Sequence, residues 1–402
     1  MKKEKWIKPR HSVFRSLLGF LAGPYIKLKY NVKVEKFKNQ EKRPYLILYN
    51  HQTGFDQFFV GLAFKRPVYY LASEDIFSMG FVSSLIKFLV EPIPIKKQTL
   101  DIAAIKTCMR VAAAGGTIAI APEGNRTFSG KTEYINPSIA SLCKKLGLPI
   151  VLYRIEGGYG VQPRWSDVVR KGKMRSFVSE VIYPEEYKNL SKEELFCRIN
   201  KGLYQNEATD KNEFFHSKRA EFLERAIYVC HNCGLSTFES NGDKIRCKNC
   251  GIEVLYDTTT KLKSLNSEFP FSFVLDWYNY QKDYINNLDL APYFEKPMYE
   301  ESVSLFEVIL YKNKKLLKER TSISLYGNRI VIDEGENSRL VFHFDEISAV
   351  TILGKNKLNV YSKDTVYQIK GEKRFNALKY VNIYNHYKNV SKGDNDGKFL
   401  GL

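Results

Sequence analysis

The sequence lacks any apolar stretch as long as the roughly 20 residues that a helix needs to cross a bilayer. The longest candidate, 76–90, is shorter and contains Lys87. The N-terminus shows no small-residue cleavage site after a long apolar region, so we expect no signal peptide. Together with the basic and apolar N-terminal residues considered below, these absences predict a peripheral protein on the cytoplasmic face of the membrane.

The sequence also has no Gly-x-Ser-x-Gly turn, which would present a serine nucleophile. Cysteine is sparse, with seven residues in all. Three of them, Cys108, Cys143 and Cys197, are scattered among apolar neighbours, and Cys108 and Cys143 have no activating partner nearby in the sequence. Nothing indicates a disulfide framework, and a covalent enzyme intermediate is disfavoured.

The other four cysteines form two Cys-x-x-Cys-Gly pairs, at 230–234 and 247–251. Four thiolates at this spacing favour a tetrahedral Zn²⁺ site, and iron or a redox role is the alternative. Because a site with four protein ligands has no open position, the zinc would be structural. The pattern resembles a zinc ribbon, with Cys230, Cys233, Cys247 and Cys250 as its ligands.

Positive charge is in excess, with a formal net charge of +18. Nucleic acid and an anionic membrane are both possible partners of such a chain. Residues 1–43 hold 13 Lys or Arg against three Glu, and apolar residues are mixed with them at 13–26. This mixture suits a helix that lies in a lipid interface. Acidic residues are interleaved in the ribbon, at Glu239, Asp243 and Glu253, so we expect an anionic membrane partner and no nucleic acid.

Short apolar runs alternate with helical patterns in the first half of the chain. The runs at 45–49, 68–72, 116–121 and 149–153 predict buried strands. Such alternation favours a layered α/β domain with a largely parallel sheet. Helices are expected at 76–90 and in between the other strands. A charged stretch is expected to form a further helix that leads out of the domain, at 211–226.

A histidine and an aspartate follow the first of these strands, in Asn50-His51-Gln52-Thr53-Gly54-Phe55-Asp56. A histidine titrates near neutral pH and can act as a general base. Asp56 would bond the other ring nitrogen and fix the tautomer. The alternative is a purely structural role, in which His51 caps a helix and Asp56 is a surface carboxylate.

A second polar cluster, Pro122-Glu123-Gly124-Asn125-Arg126-Thr127, follows the run at 116–121. Ligands of open α/β sheets bind at the carboxyl ends of the strands, where the two clusters are expected to meet. Arg126 can donate hydrogen bonds to phosphate oxygens. Gly124 allows the backbone to approach an anion closely. Glu123 would orient Arg126 or a substrate hydroxyl.

Together the two clusters resemble the glycerolipid acyltransferase family, which carries a His-x-x-x-x-Asp motif and a later Glu-Gly-Thr-Arg-Ser block. Here Asn125 and Thr127 replace the Thr and Ser of that block. The resemblance covers about 10–215 and implies that the second block binds the phosphate of the acceptor. It also implies an assisting positively charged residue after 93–95. Lys96 and Lys97 hold that place here, and they are either phosphate ligands or merely solvated.

From 303 onward the pattern changes to seven short alternating strands, which are followed by a helix at 374–387. This order resembles a pleckstrin-homology-like (PH-like) barrel. The predicted division begins with a basic membrane-interface segment at 1–43 and an acyltransferase domain at 44–220. The zinc ribbon follows at 227–258 and a helical connector at 259–298. A PH-like domain at 299–390 and a disordered tail at 391–402 complete the chain.

The sequence therefore predicts a membrane-associated acyltransferase of phospholipid biosynthesis. It would move a fatty acyl group from acyl-CoA or acyl carrier protein to a hydroxyl of a glycerol-3-phosphate or lysophosphatidate type of acceptor. His51 would be the base. The alternative is a catalytically silent adaptor that uses the ribbon and the PH-like domain to bind lipid or protein.

Overall fold

The computed structural model describes residues 6–95, 101–310, 312–333 and 339–393. These residues form two compact units. The first contains the described residues up to 77, then 81–164 and 169–215. The second contains 78–80, 165–168 and the rest of the chain from 216. Within the described part of the chain, no helix has the length and apolar character required to span a bilayer.

The first unit is a layered α/β domain. Its helices are α1 (Pro9–Tyr30), α2 (Asp56–Ala63), α3 (Phe81–Val90), α4 (Ile102–Ala113), α5 (Ser138–Leu146), α6 (Gly158–Val161), α7 (Pro184–Tyr187) and α8 (Lys192–Leu203). Its strands are β1 (Val32–Val34), β2 (Leu46–Tyr49), β3 (Val68–Ser73), β4 (Ile93–Ile95), β5 (Thr117–Ile120), β6 (Ile150–Glu156) and β7 (Met174–Ile182).

These seven strands form one sheet in the order β1-β7-β6-β2-β5-β3-β4. Every neighbouring pair is parallel except β6 and β7, so the predicted, largely parallel sheet is confirmed. Strand β2 lies at the centre, and all four of its residues are buried. Side chains alternate between the faces of a strand. Accordingly, Leu46 and Leu48 join one hydrophobic cluster, and Ile47 and Tyr49 join the other.

Two helix predictions need correction. The stretch 76–90 is interrupted, because Gly80 has a φ of +57° that ends the preceding turn and α3 begins only at Phe81. Residues 211–226 contain no α-helix, only a 3₁₀ turn at Leu223–Arg225. Phe222 there has a φ of +73°, in the left-handed region that a helix cannot use. Tertiary contacts outweigh the helical propensity of this charged stretch.

The second unit contains two helices, α9 (Val274–Asn286) and α10 (Ala377–Ser391). Its shorter strands are β8 (Val229–Cys230), β9 (Gly234–Leu235), β10 (Phe238–Asn241), β11 (Lys244–Cys247), β12 (Glu253–Tyr256) and β13 (Leu262–Ser264). The remaining strands are β14 (Tyr299–Glu307), β15 (Lys315–Leu325), β16 (Arg329–Asp333), β17 (Arg339–His343), β18 (Ile347–Leu353), β19 (Lys357–Ser362) and β20 (Thr365–Gly371).

Strands β10 to β13 form a small antiparallel sheet, and β8 pairs with β9. The last seven strands form an antiparallel sheet in the order β17-β16-β15-β14-β20-β19-β18. Helix α10 packs against β18 and β19 with buried residues along nearly its whole first half. The predicted order of seven strands and a closing helix is confirmed. Of the predicted disordered tail, residues 394–402 lie outside the described part of the chain.

Candidate active site

The two polar clusters of the sequence meet at one edge of the first unit's sheet. Strands β2 and β5 are parallel neighbours, so the turns that follow them lie side by side. Hydrogen bonds join the turns directly. The N–H of Thr127 donates to the carbonyl oxygen of His51 (3.3 Å), and the N–H of His51 donates to Oε1 of Glu123 (2.8 Å). The backbone of His51 is thus held by the second cluster.

His51 and Asp56 form a hydrogen-bonded pair, with 2.8 Å between Nδ1 and Oδ2. Asp56 is fully buried at the first turn of α2, where the helix dipole favours a negative charge. Its carboxylate also accepts the N–H of Gln52 (2.7 Å), together with the N–H (2.9 Å) and the hydroxyl (2.7 Å) of Thr53. With its carboxylate held in this way, Asp56 fixes the orientation of the imidazole ring.

The other ring nitrogen of His51 is the one suited to receive a proton. When Nδ1–H points at a carboxylate, the lone pair of a neutral imidazole is on Nε2. The imidazole ring is 24% exposed, so a substrate can approach it. Asn50 anchors the start of this turn, because its side chain exchanges two hydrogen bonds of 2.8 Å with the backbone of Ile155 on β6. The sequence analysis missed this role of Asn50.

Glu123 is buried and supports the backbone. Besides the N–H of His51, its carboxylate accepts the N–H of Glu133 (2.8 Å). Burial raises the pKa of Glu123 to about 8, although the two N–H donors act in the opposite direction. The structure therefore places Glu123 where it positions His51, and the charge of its carboxyl group depends on pH near neutrality.

This raised pKa predicts how the stability of the first unit depends on pH. The carboxyl group prefers its neutral form in the folded state, so its contribution to stability declines as the pH rises from its ordinary pKa of 4.5 towards 8. Glu123→Gln removes this titration. The unfolding free energy of the variant is subtracted from that of wild type, both measured by urea denaturation. We expect this difference to decrease as the pH rises across that range. A difference that is constant with pH would contradict the prediction.

Arg126 supplies a positive charge beside the His51–Asp56 turn. A Cβ atom at Gly54 would lie 3.9 Å from Nη1 of Arg126, which places the guanidinium group against that turn. Burial lowers the pKa of Arg126, and the nearby charge of Asp56 acts in the opposite direction. Among the described residues, none forms a hydrogen bond or a close ion pair with this guanidinium group. Its donors are therefore available to an anionic ligand.

The other members of the second cluster shape the turn. Gly124 is exposed with a φ of +70°, and a Cβ atom there would contact nothing within 4 Å. Thr127 is fully buried, and its hydroxyl oxygen accepts the N–H groups of Ser129 (3.1 Å) and Gly130 (3.0 Å). Asn125 is also buried. The two predicted lysines, Lys96 and Lys97, lie outside the described residues.

The end of α1 brings two further residues to the site that the sequence analysis missed. Tyr30 is buried, its hydroxyl donates to Oε1 of Gln162 (3.0 Å), and its ring packs on Phe55 of the His51–Asp56 turn. The ammonium group of Lys29 lies 5.6 Å from the centre of the same Phe55 ring. No sequence motif links α1 to this turn, so only the tertiary structure reveals the contact.

The four paired cysteines converge in the second unit. Their Sγ atoms all lie within 4.8 Å of one another, and the closest pairs, Cys230–Cys250 and Cys233–Cys247, are 3.6 Å apart. Tetrahedral bonds of about 2.3 Å to zinc place sulfurs about 3.8 Å apart, so the set fits this metal. Burial raises the pKa of Cys230 and of Cys233, whereas the N–H groups of Cys250 and Asn249 outweigh burial at Cys247 and bring its pKa down to about 7.

Two stretches of the chain match known families. Residues 31–155 match the family described as Acyltransferase. Residues 223–262 match the family described as DNA directed RNA polymerase, 7 kDa subunit, a zinc ribbon. No curated protein sequence matches the chain significantly.

Two solved structures are among those similar to the chain. The 1-acyl-sn-glycerophosphate (LPA) acyltransferase PlsC from Thermotoga maritima is 18% identical, with a TM-score of 0.38, over 48% of this chain and 91% of that one. The N-terminal PH domain of human ARAP2 is 18% identical, with a TM-score of 0.19, over 23% of this chain and 81% of that one. By the family models, residues 31–155 are similar to acyltransferases and residues 223–262 to a zinc ribbon, whose four cysteines cluster in the structure. The seven antiparallel strands β14 to β20 and the closing helix α10 have the element order expected of a PH-like domain.

Proposed function

We propose that the acyltransferase domain moves a fatty acyl group from acyl-CoA or acyl carrier protein to a hydroxyl of a glycerol-3-phosphate or lysophosphatidate type of acceptor. The observation that carries this proposal is the His51–Asp56 pair with the guanidinium group of Arg126 beside it. A base and an anion-binding group lie together at the edge of the sheet where ligands bind in this class of fold.

The geometry suits direct transfer. The acceptor's hydroxyl oxygen attacks the thioester carbonyl carbon while Nε2 of His51 takes the hydroxyl proton. The tetrahedral intermediate then collapses, the C–S bond breaks, and the leaving thiolate receives the proton from the imidazolium. Asp56 stabilises that imidazolium through Nδ1–H. General-base assistance of this kind contributes about 10² to 10⁴ in rate, and it requires no enzyme nucleophile.

Arg126 would bind the acceptor's phosphate. A planar guanidinium group can donate two parallel hydrogen bonds to phosphate oxygens, whereas an ammonium group acts as a point charge. Half-buried charges interact strongly with a ligand because water screens them less. This assignment makes the proposal specific for phosphate-bearing acceptors.

Arg126→Lys should raise the KM for the acceptor by about tenfold, because the positive charge remains but the planar guanidinium group with its two parallel donors is lost. The KM for the donor should change little. Steady-state kinetics with lysophosphatidate and acyl-CoA would measure both constants. Arg66→Lys, at an exposed position of the same unit, is the matched control. An unchanged acceptor KM removes Arg126 from the phosphate site, and a rise in the donor KM alone moves it to the thioester side.

In the second unit, Cys230, Cys233, Cys247 and Cys250 would hold one Zn²⁺, which would stabilise the ribbon. The silent-adaptor alternative gains no support from the first unit. There His51, Asp56 and Arg126 lie together, a set that a scaffold without catalysis does not require. Incubating the purified protein with labelled acyl-CoA and a panel of lysophospholipids, and resolving the products by mass, decides between enzyme and adaptor and identifies the acceptor.

A further inference from the structure

Helix α3 exposes large apolar residues that an ordinary surface helix would bury. Its one fully buried side chain is Ser83, whose hydroxyl donates to the carbonyl oxygen of Ile76 (2.7 Å). Its large apolar residues face outward: Phe81 is 80% exposed and Phe88 is 54% exposed. Val82 and Leu85 are exposed as well. The exposed positions recur with the period of one helical face, so α3 presents a continuous apolar surface.

Helix α1 buries Ile26 and Tyr30 in the core, but it too exposes a row of apolar residues. Its glycine side packs on α2, since a Cβ atom at Gly23 would lie 3.1 Å from Cδ2 of Leu62. Phe20 is 79% exposed and Leu28 is 84% exposed. The exposed apolar residues of α1 follow helical spacing, at Val13, Leu17, Phe20, Leu21, Tyr25 and Leu28. Isolated exposed apolar side chains are common, but two rows of them on neighbouring helices mark an interaction surface.

The helices that carry the two rows are neighbours, because α1 and α3 pack against each other. The guanidinium group of Arg10 on α1 stacks 4.2 Å above the ring centre of Phe88, and its Nε donates to the carbonyl oxygen of Phe88 (2.8 Å). Lys8 forms an ion pair with Glu91, which follows α3 directly (2.7 Å). These contacts fix the relative orientation of the helices.

We propose that α1 and α3 together form the surface that docks on an anionic lipid bilayer, with α3 as an inserting element in its own right. Helices α1 and α3 contain five Lys or Arg and no Asp or Glu. The guanidinium group of Arg15 donates to the carbonyl oxygens of Gly61 and Phe64, so the other four are the ones that can reach headgroups. Long basic side chains around an apolar face suit anionic headgroups, and the apolar side chains enter the boundary with the acyl chains. A second copy of this chain is the poorer occupant, because two such basic faces would repel each other.

This inference rests on the proposed function, whose fatty acyl substrates belong to a lipid surface, and it adds an element outside the basic N-terminal segment for which the sequence predicts membrane contact. It places an inserting helix between β3 and β4 of the sheet that carries His51. The acyltransferase domain itself would therefore contact the lipid, in addition to being tethered by its N-terminal helix.

Flotation with vesicles of equal parts phosphatidylcholine and phosphatidylglycerol tests the surface. The full-length variant Phe81→Ser/Leu85→Ser should lower the vesicle partition coefficient by about tenfold or more, as should Phe20→Ser/Leu21→Ser on α1, because each removes two exposed apolar side chains. Val390→Ser is the matched control, since Val390 is 62% exposed on α10. Circular dichroism would confirm that each variant is folded.

Wild-type binding should also weaken with added salt and with pure phosphatidylcholine vesicles, because the rim is basic. Flotation of the α3 variant at the wild-type level would overturn the role of α3. Loss of a dimer in the variants, with vesicle binding unchanged, would assign the face to a second copy instead. Wild type that floats but transfers no acyl group would refute the proposed function and leave the surface intact.

Discussion

Replacing His51 with alanine should abolish acyl transfer by the purified protein. The imidazole supplies proton transfer at Nε2, while its hydrogen bond to Asp56 through Nδ1 keeps the ring in place. Loss of a general base is worth about 10² to 10⁴ in rate. We therefore expect the kcat of His51→Ala to fall at least 10²-fold, measured with labelled acyl-CoA under saturating acceptor.

The fold should survive this change. His51 is partly exposed, and the bonds that hold its turn come from its backbone N–H and carbonyl groups, which alanine retains. Vesicle binding should also persist. His343→Ala, an exposed histidine on β17, controls for the loss of an imidazole. If the folded His51→Ala protein kept more than about a tenth of the wild-type turnover, the general-base role would be wrong, since such roles are worth about 10² or more.

The sequence predicted those features of the first unit that depend on local pattern. Apolar runs such as 149–153 indicate strands, and their alternation with helices indicates a parallel sheet. That topology then predicts that the turns after β2 and β5 lie together, because both follow strands of the same direction. The His51–Asp56 hydrogen bond lies within a single turn, so sequence spacing alone could suggest it.

Features that depend on long-range contacts could not be predicted in this way. Lys29 and Tyr30 reach the site only because α1 packs on α2. The partners of Glu123 are backbone N–H groups. Almost every residue has such a group, so the sequence does not indicate which ones donate to Glu123. Helix α3 reads as an ordinary core helix, since its composition is apolar. Only the structure shows that the apolar side faces outward and that Ser83 is the buried residue.

Replacing Cys247 and Cys250 with serine should release the metal and unfold the ribbon. The sheet β10 to β13 is small and buries few large side chains, among them Phe238, Ile245 and Tyr256. A segment of about 30 residues cannot fold on so small a core without a crosslink. Zinc bound by four thiolates contributes about 10 to 16 kcal/mol of apparent binding energy to such folds. We expect one Zn²⁺ per wild-type chain by metal analysis and none in the double variant.

Limited proteolysis should then cut the double variant within 227–258, where wild type resists. Cys197→Ser, which changes an exposed cysteine outside the cluster, should keep both the metal and the resistance. The metal should support folding alone, because four cysteine ligands leave no coordination position for water or substrate. Wild type without zinc would contradict the assignment. So would a double variant whose ribbon stays protease-resistant while acyl transfer is lost, since that result would make the metal catalytic.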